Sequence, residues 1–224
     1  MSLPEPLPDR RTILQVLAAT AVAIAVPGYT AAMATAAEAD ESQPTWTTQT
    51  LESFADTLIP GERRYSGDYA IAGAVVGPGA VVAGAMDVLN DPRLPLSPLL
   101  PSIAALLDAR AAAYAVEHLI LLPLDRPSFT GLSFTHRTRL VTGLFDDDEI
   151  DLPVWQMLSF LVCLAFDTAG YLPTRDAIAA GHPGLAWIGF PAPSSNGQWA
   201  FPQHSYGRPL ADLHPSTTAS GSPA

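Results

Sequence analysis

The chain has 224 residues and a net charge of -11, with 48% hydrophobic and only 15% charged residues. That length gives one domain with a real core and hardly two, and an acidic balance without a single lysine excludes the basic footprint that nucleic acid demands. The lone cysteine, Cys163, excludes an internal disulfide.

The chain opens with Asp9-Arg10-Arg11-Thr12-Ile13-Leu14, then an uncharged run of Ala, Val, Ile and Leu to Val26, then Pro27-Gly28. Small-residue triplets follow, Ala32-Met33-Ala34 and Ala34-Thr35-Ala36. A basic start, a short apolar middle and a small-residue end are the three parts of an export signal. The pair Arg10 and Arg11, with Ile13 and Leu14 behind them, points to the twin-arginine translocase, which carries folded cargo. The apolar run is shorter than the ~20 residues needed to span a bilayer. The expected organisation is a signal peptide over 1–36, a linker over 37–46, a helical domain over 47–208 and a disordered tail over 209–224. The mature protein is expected outside the cytoplasm.

Thr48 to Ile59 reads as the first helix of the domain. Leu51, Phe54, Ala55, Leu58 and Ile59 recur with helical spacing, Thr47 or Thr48 is placed to cap it, and Pro60-Gly61 stops it. Gly77-Pro78-Gly79 forms a joint before a helix running to Leu89. The glycine-rich stretch from Gly73 to Gly84 is not a phosphate loop, since it lacks Gly-Lys-Ser/Thr, nor a dinucleotide fingerprint, since neither flank looks like a strand.

A long helix is expected from Leu99 to Leu122, apolar nearly all round and therefore near the centre of the bundle. Phe129 to Thr135 reads as a loop and Thr135 to Phe145 as a short helix bearing Arg137 and Arg139. The acidic run Asp146-Asp147-Asp148-Glu149 lacks calcium-loop spacing and reads as capping for the next helix. That helix, from Pro153 to Ala169, is strongly apolar and ends at Gly170. Cys163 within it reads as a buried small hydrophobe. A last short helix covers Thr174 to Ala180, and beyond His182 the helical signal fades. Strand signals are nearly absent. The fold class is all-α: a compact bundle of about five to seven helices with an extended aromatic C-terminal arm.

No motif specifies a reaction. His118, His136, His182, His204 and His214 show no metal-ligand spacing, and no nucleophile elbow exists. No catalytic residue, metal site or cofactor site is assigned to this chain. The aromatic arm stands apart: Trp187, Phe190, Trp199, Phe201 and Tyr206 lie on a proline-fixed segment, either tucked over the bundle or offered to a partner.

Leu51-Glu52-Ser53-Phe54-Ala55-Asp56-Thr57-Leu58-Ile59-Pro60, then Gly79 to Leu89, together resemble the opening of the gluconate 2-dehydrogenase subunit 3 family. The closing Trp187-Ile188-Gly189-Phe190-Pro191 is similar to that family's Gly-Tyr-Pro ending, with Phe190 in place of the tyrosine. The resemblance covers both ends of the domain; Leu94 to Pro173 adds only helical character. It implies a small accessory subunit of an exported or membrane-associated flavin dehydrogenase of the glucose–methanol–choline type. In such complexes the large flavoprotein subunit holds FAD and does the chemistry, and in some a cytochrome c subunit takes the electrons. The small subunit supplies the export signal and helps the flavoprotein mature, so no catalytic residue is carried over. Two other readings fit the residues alone. One is a free-standing secreted enzyme with an acid/base site of scattered His and Asp; the other is a cell-surface binding module.

Overall fold

The computed structural model describes residues 45–146 and 148–193. Among them the fold is all-α, with no strand. The chain divides after Gly189. Among the described residues the first unit holds every helix, and residues 190–193 form none. The expected aromatic arm beyond residue 193, and the export segment with Arg10, Arg11, Ile13 and Leu14, lie outside the described residues.

Helix α1 (Trp46–Leu58) is the element that the others surround. It begins two residues earlier than its periodicity predicts, because the cap is Thr45 rather than Thr47 or Thr48. The Thr45 side chain accepts from the Thr48 amide at 3.2 Å. Every residue from Thr50 to Thr57 is buried. Leu51, Phe54 and Ala55 face the apolar core as the spacing requires. The polar face is buried too, and its groups are satisfied in pairs: Thr50 donates to Asp108 at 2.8 Å, and Ser53 shares a 2.8 Å bond with Thr130. A buried polar group costs free energy unless it is hydrogen-bonded, so these pairs hold α1 at the centre.

The 79–89 stretch is two short helices, α2 (Gly79–Val82) and α3 (Ala85–Leu89). Gly84 breaks the stretch in the left-handed region, at φ 88°. A 3-10 turn (Ser97–Leu99) leads into α4 (Leu100–Glu117). Ser97–Glu117 is long and apolar enough to cross a membrane by length and composition. Here Leu100, Ile103, Ala104, Leu107, Ala111 and Ala115 face the core, while Ala105, Ala109, Ala113 and Val116 are exposed. So α4 flanks the core rather than occupying its centre, against the sequence expectation. Alanine is apolar on any hydropathy scale, yet too small to show which side of a helix is inside. The helix also stops five residues before Leu122, because Leu119 takes a left-handed φ of 55°.

Helix α5 (Ser128–Gly131) lies where the sequence suggested only a loop, and α6 (Phe134–Gly143) follows, capped by Ser133. Helix α7 (Leu152–Thr168) is the second pillar of the core; its Trp155 is fully buried against Phe54, ring centroids 6.2 Å apart. It ends at Thr168, one residue short of the expected Ala169, which itself takes a φ of 50°. Of the acidic run, Glu149 reaches the start of α7, where its carboxylate accepts from the Asp151 amide at 3.3 Å. Asp151 is the N-cap residue but makes no side-chain cap bond, and Asp151 with Glu149 instead grips Arg110 on α4 at 3.0 and 2.5 Å. Both carboxylates accept from the same Arg110 Nη2, a charge-assisted pairing stronger than a neutral amide provides.

Helix α8 (Thr174–Ala179) matches its expected span within a residue. Helix α9 (Pro183–Trp187) was not expected. It forms because His182 caps it: Nδ1 accepts from the Leu185 amide at 3.3 Å. Nε2 therefore carries the proton and donates to the Ala83 carbonyl at 2.9 Å, tying α9 to the end of α2. Gly184 lets α9 lie directly on α7; a Cβ there would stand 2.2 Å from the Phe166 carbonyl oxygen.

Candidate functional site

Between α1 and α2 the chain makes a long excursion, residues 60–77, without regular secondary structure. Its exposed backbone would be costly to fix unless something inside gripped it. Three buried side-chain systems do so. Asp56 on α1 is almost fully buried, and its two carboxylate oxygens accept from the Gly61 amide at 3.1 Å and the Ala72 amide at 2.8 Å. Burial pushes its pKa above the ordinary carboxylate range, although both amides work against that.

Arg137 on α6 is also buried. Its guanidinium donates to the carbonyls of Tyr69 at 2.8 Å, Ala70 at 2.7 Å, Thr130 at 2.5 Å and Leu132 at 3.1 Å. Burial drives its pKa down to about 10, with the nearby Asp56 charge acting in the opposite sense. The third system is Glu52–Arg64–Asp68. The Arg64 fork meets Glu52 at 2.7 and 2.8 Å and Asp68 at 2.7 and 3.1 Å. Burial tends to raise Asp68, but the Arg64 hydrogen bonds and charge, with the Ile71 and Arg64 amides, outweigh it and hold the carboxyl below its usual range.

Held in this way, the excursion turns Tyr65, Tyr69, Val75 and Val76 outward, with Val76 75% exposed. Residues 72–76 with Glu62 and Arg63 line an open groove of about 520 Å³. Trp187 stands beside it. The indole is 61% exposed and rests against Gly77, where a Cβ would come within 3.1 Å of the ring. Gly77 also has φ 130°, a conformation that only glycine takes without strain. Val75 and Val76, just before Gly77, and Ile188, just after Trp187, are exposed apolar side chains as well. Aromatic anchors on a rigid support are the usual centre of a protein-binding surface.

Of the residues singled out by the sequence, Trp187 is thus on a folded helix rather than on an arm. Phe190 is half-exposed, three residues further on. Trp199, Phe201 and Tyr206 lie outside the described residues. What sequence reasoning missed is the other half of the face, Val75 and Val76. Its only sequence signal was an apolar, glycine-rich stretch.

The structure also gathers His118 and His136, far apart in sequence, around Tyr114. The His118 ring stacks on Tyr114 with centroids 4.0 Å apart, and the Tyr114 hydroxyl meets His136 Nδ1 at 3.1 Å. Cys163 is half-buried, its thiol pKa raised by burial and by Asp167. Among the described residues, no group of three or more His, Cys, Asp or Glu side chains is placed to hold a metal ion.

Comparison with known proteins places the chain in a family: the family model described as a family of unknown function, DUF5987, matches residues 45–224, and the chain belongs to that family. No curated protein and no solved structure matches it.

Proposed function

We propose that this chain is an exported, non-catalytic accessory subunit that escorts and stabilises a flavin-dependent dehydrogenase or oxidase of the glucose–methanol–choline type. The observation that carries the reading is the exposed Trp187 on α9, seated on Gly77 beside Val75 and Val76. A monomer gains nothing from leaving an indole and a valine-rich turn in water, whereas a partner surface that buries them gains strongly. Support also comes from the leader-like start with Arg10 and Arg11, and from the resemblance over Leu51–Pro60, Gly79–Leu89 and Trp187–Pro191. In this reading FAD belongs to the large flavoprotein partner, with a cytochrome c subunit as a further partner, and this chain binds no cofactor of its own.

The test is gentle purification of the tagged full-length protein from its native host. Flavin absorbance with a stoichiometric larger polypeptide is expected. Trp187→Ala is expected to weaken retention of that polypeptide by at least about tenfold, a typical anchor effect, with helicity unchanged. A colourless single chain, with the host's flavoprotein reaching the exterior without it, would overturn the reading.

A second reading draws on the Tyr114 cluster: a free-standing secreted enzyme using His118 and His136 as acid and base. It requires turnover by the isolated chain that is lost on changing either histidine.

A further inference from the structure

A second apolar feature lies in the segment after α4, and it does not depend on the proposed partner. Six consecutive apolar residues, Leu119-Ile120-Leu121-Leu122-Pro123-Leu124, follow the helix. Ile120 and Leu122 pack onto the core. In an extended segment neighbouring side chains point to opposite sides, so anchoring these two turns Leu119 and Leu121 outward. Leu119 is 92% exposed, Leu121 97% and Leu124 96%, with Val116 on the last turn of α4 at 77%. A single exposed leucine is ordinary surface. Four large aliphatic side chains within a nine-residue span, on a backbone anchored from beneath, are a patch with a use.

The backbone of Leu119 carries the same message independently. The Ile120 amide reaches back to the Ala115 carbonyl at 2.8 Å, and the Leu119 amide to the Val116 carbonyl at 3.3 Å. This is the helix-ending motif whose left-handed position favours glycine. A leucine there carries backbone strain and buries almost none of its side chain in return. Among the described residues the fold gains nothing from it, so the contact it serves lies beyond them.

Size and chemistry select the occupant. Four such side chains offer roughly 250–500 Å² of apolar surface, well short of the ~800 Å² per partner that a stable protein interface buries. Two copies of a chain with net charge -11 would also repel one another. Aromatic and cationic groups flank the segment along the chain: the Arg126 guanidinium, ion-paired with Asp125, lies 3.5 Å over the Tyr69 ring, and His118 stacks on Tyr114. Exposed aliphatic side chains flanked by polar-tipped aromatics and a cation suit a bilayer surface, hydrocarbon within and headgroups around. The acidic net charge, with Glu117 and Asp125 exposed at either side, disfavours an anionic leaflet. We propose that the 116–124 segment is a lipid-insertion loop that docks the protein on a neutral, zwitterionic bilayer surface.

Flotation of the full-length protein with phosphatidylcholine vesicles tests this, comparing wild type with the double variant Leu121→Ser/Leu124→Ser. The apolar N-terminal segment is present in both, so the difference reports the loop alone. Wild type is expected to float, to the same extent in about 0.05 and 0.5 M salt, with no gain from added phosphatidylglycerol. The double variant is expected to lose at least about tenfold in partitioning, with unchanged helicity because neither side chain is packed. Trp187→Ala is expected to float like wild type, which separates this surface from the partner face. The proposal is overturned if wild type stays unbound or if the double variant floats equally well. Binding that requires anionic lipid and vanishes in salt overturns it too, as does a double variant that loses a co-purifying protein instead of vesicles.

Discussion

Asp56 is a buried carboxylate and Asp108 a half-buried one, and both have pKa values raised chiefly by burial. Their partners differ in a way that decides how each tolerates losing its charge. Asp108 accepts from the Thr50 hydroxyl and from the Phe129 amide at 2.9 Å. In Asp108→Asn the amide oxygen still accepts from Phe129, and the new NH2 donates to the Thr50 hydroxyl, which rotates to accept. Asp56 accepts from two backbone amides, and neither amide is able to reverse its role. In Asp56→Asn one amide faces an NH2 group, leaving two buried donors opposed, at a cost of about 1–3 kcal/mol. Chemical denaturation at pH 7 is therefore expected to show Asp108→Asn at or above wild-type stability and Asp56→Asn clearly below it. Equal losses in both would mean that burial of the charge, not the donor inventory, sets their energetics.

Among the elements, helix ends separate what the sequence disclosed from what it hid. The C-terminus of α4 is the clearest case, and it yields a prediction of two signs. Leu119→Gly removes the left-handed penalty of about 1–2 kcal/mol while adding chain entropy to the unfolded state. A net gain of roughly 0.5–1 kcal/mol in denaturant unfolding is expected, together with weaker vesicle binding. A loss of stability would show that the Leu119 side chain is packed after all. Helices α7 and α8 and the body of α1 were legible because large apolar residues marked their faces and proline or glycine marked their ends. Three features escaped. The span of α4 was overextended because leucine gives no sign of a stop, and α9 was missed because a histidine cap has no sequence signature distinct from a loop histidine. The carboxylates before α7 were read as local caps because their partner, Arg110, lies on another helix 39 and 41 residues away in sequence. The candidate face was half visible: Trp187 announces itself as an exposed aromatic, whereas Val75 and Val76 became part of a surface only through anchors contributed by α1 and α6.

For the molecule as a whole, the titrating groups pull in opposite directions, and their order along the pH axis fixes the stability profile. Asp56 and Asp108 have raised pKa values, so the native state takes up protons before the unfolded chain does. Their contribution is fully present below the unfolded value near 3.9 and is lost as pH rises through their folded values. Asp68 is lowered, so its contribution is present above about 3.9 and is lost as pH falls through its folded value. Reducing the net charge of -11 on acidification also relieves self-repulsion. The denaturation midpoint is expected to rise as pH drops from about 7 toward about 4.5 and to fall again below about 4, when protonation of Asp68 frees Arg64. A profile that declines steadily from neutrality would assign control to other carboxylates.

The anchors beneath the 60–77 excursion have one more property. Asp56 takes hold of amides and Arg137 takes hold of carbonyls, groups that every residue type but proline supplies in full. Positions 65, 74, 75 and 76 contribute no side chain to those grips. Mutation is therefore free to rewrite their chemistry while the excursion keeps its course, and lineages that acquire new partners inherit the scaffold unchanged. Divergence among relatives is expected to concentrate on the outward side chains of the excursion rather than on the aspartate and arginine below.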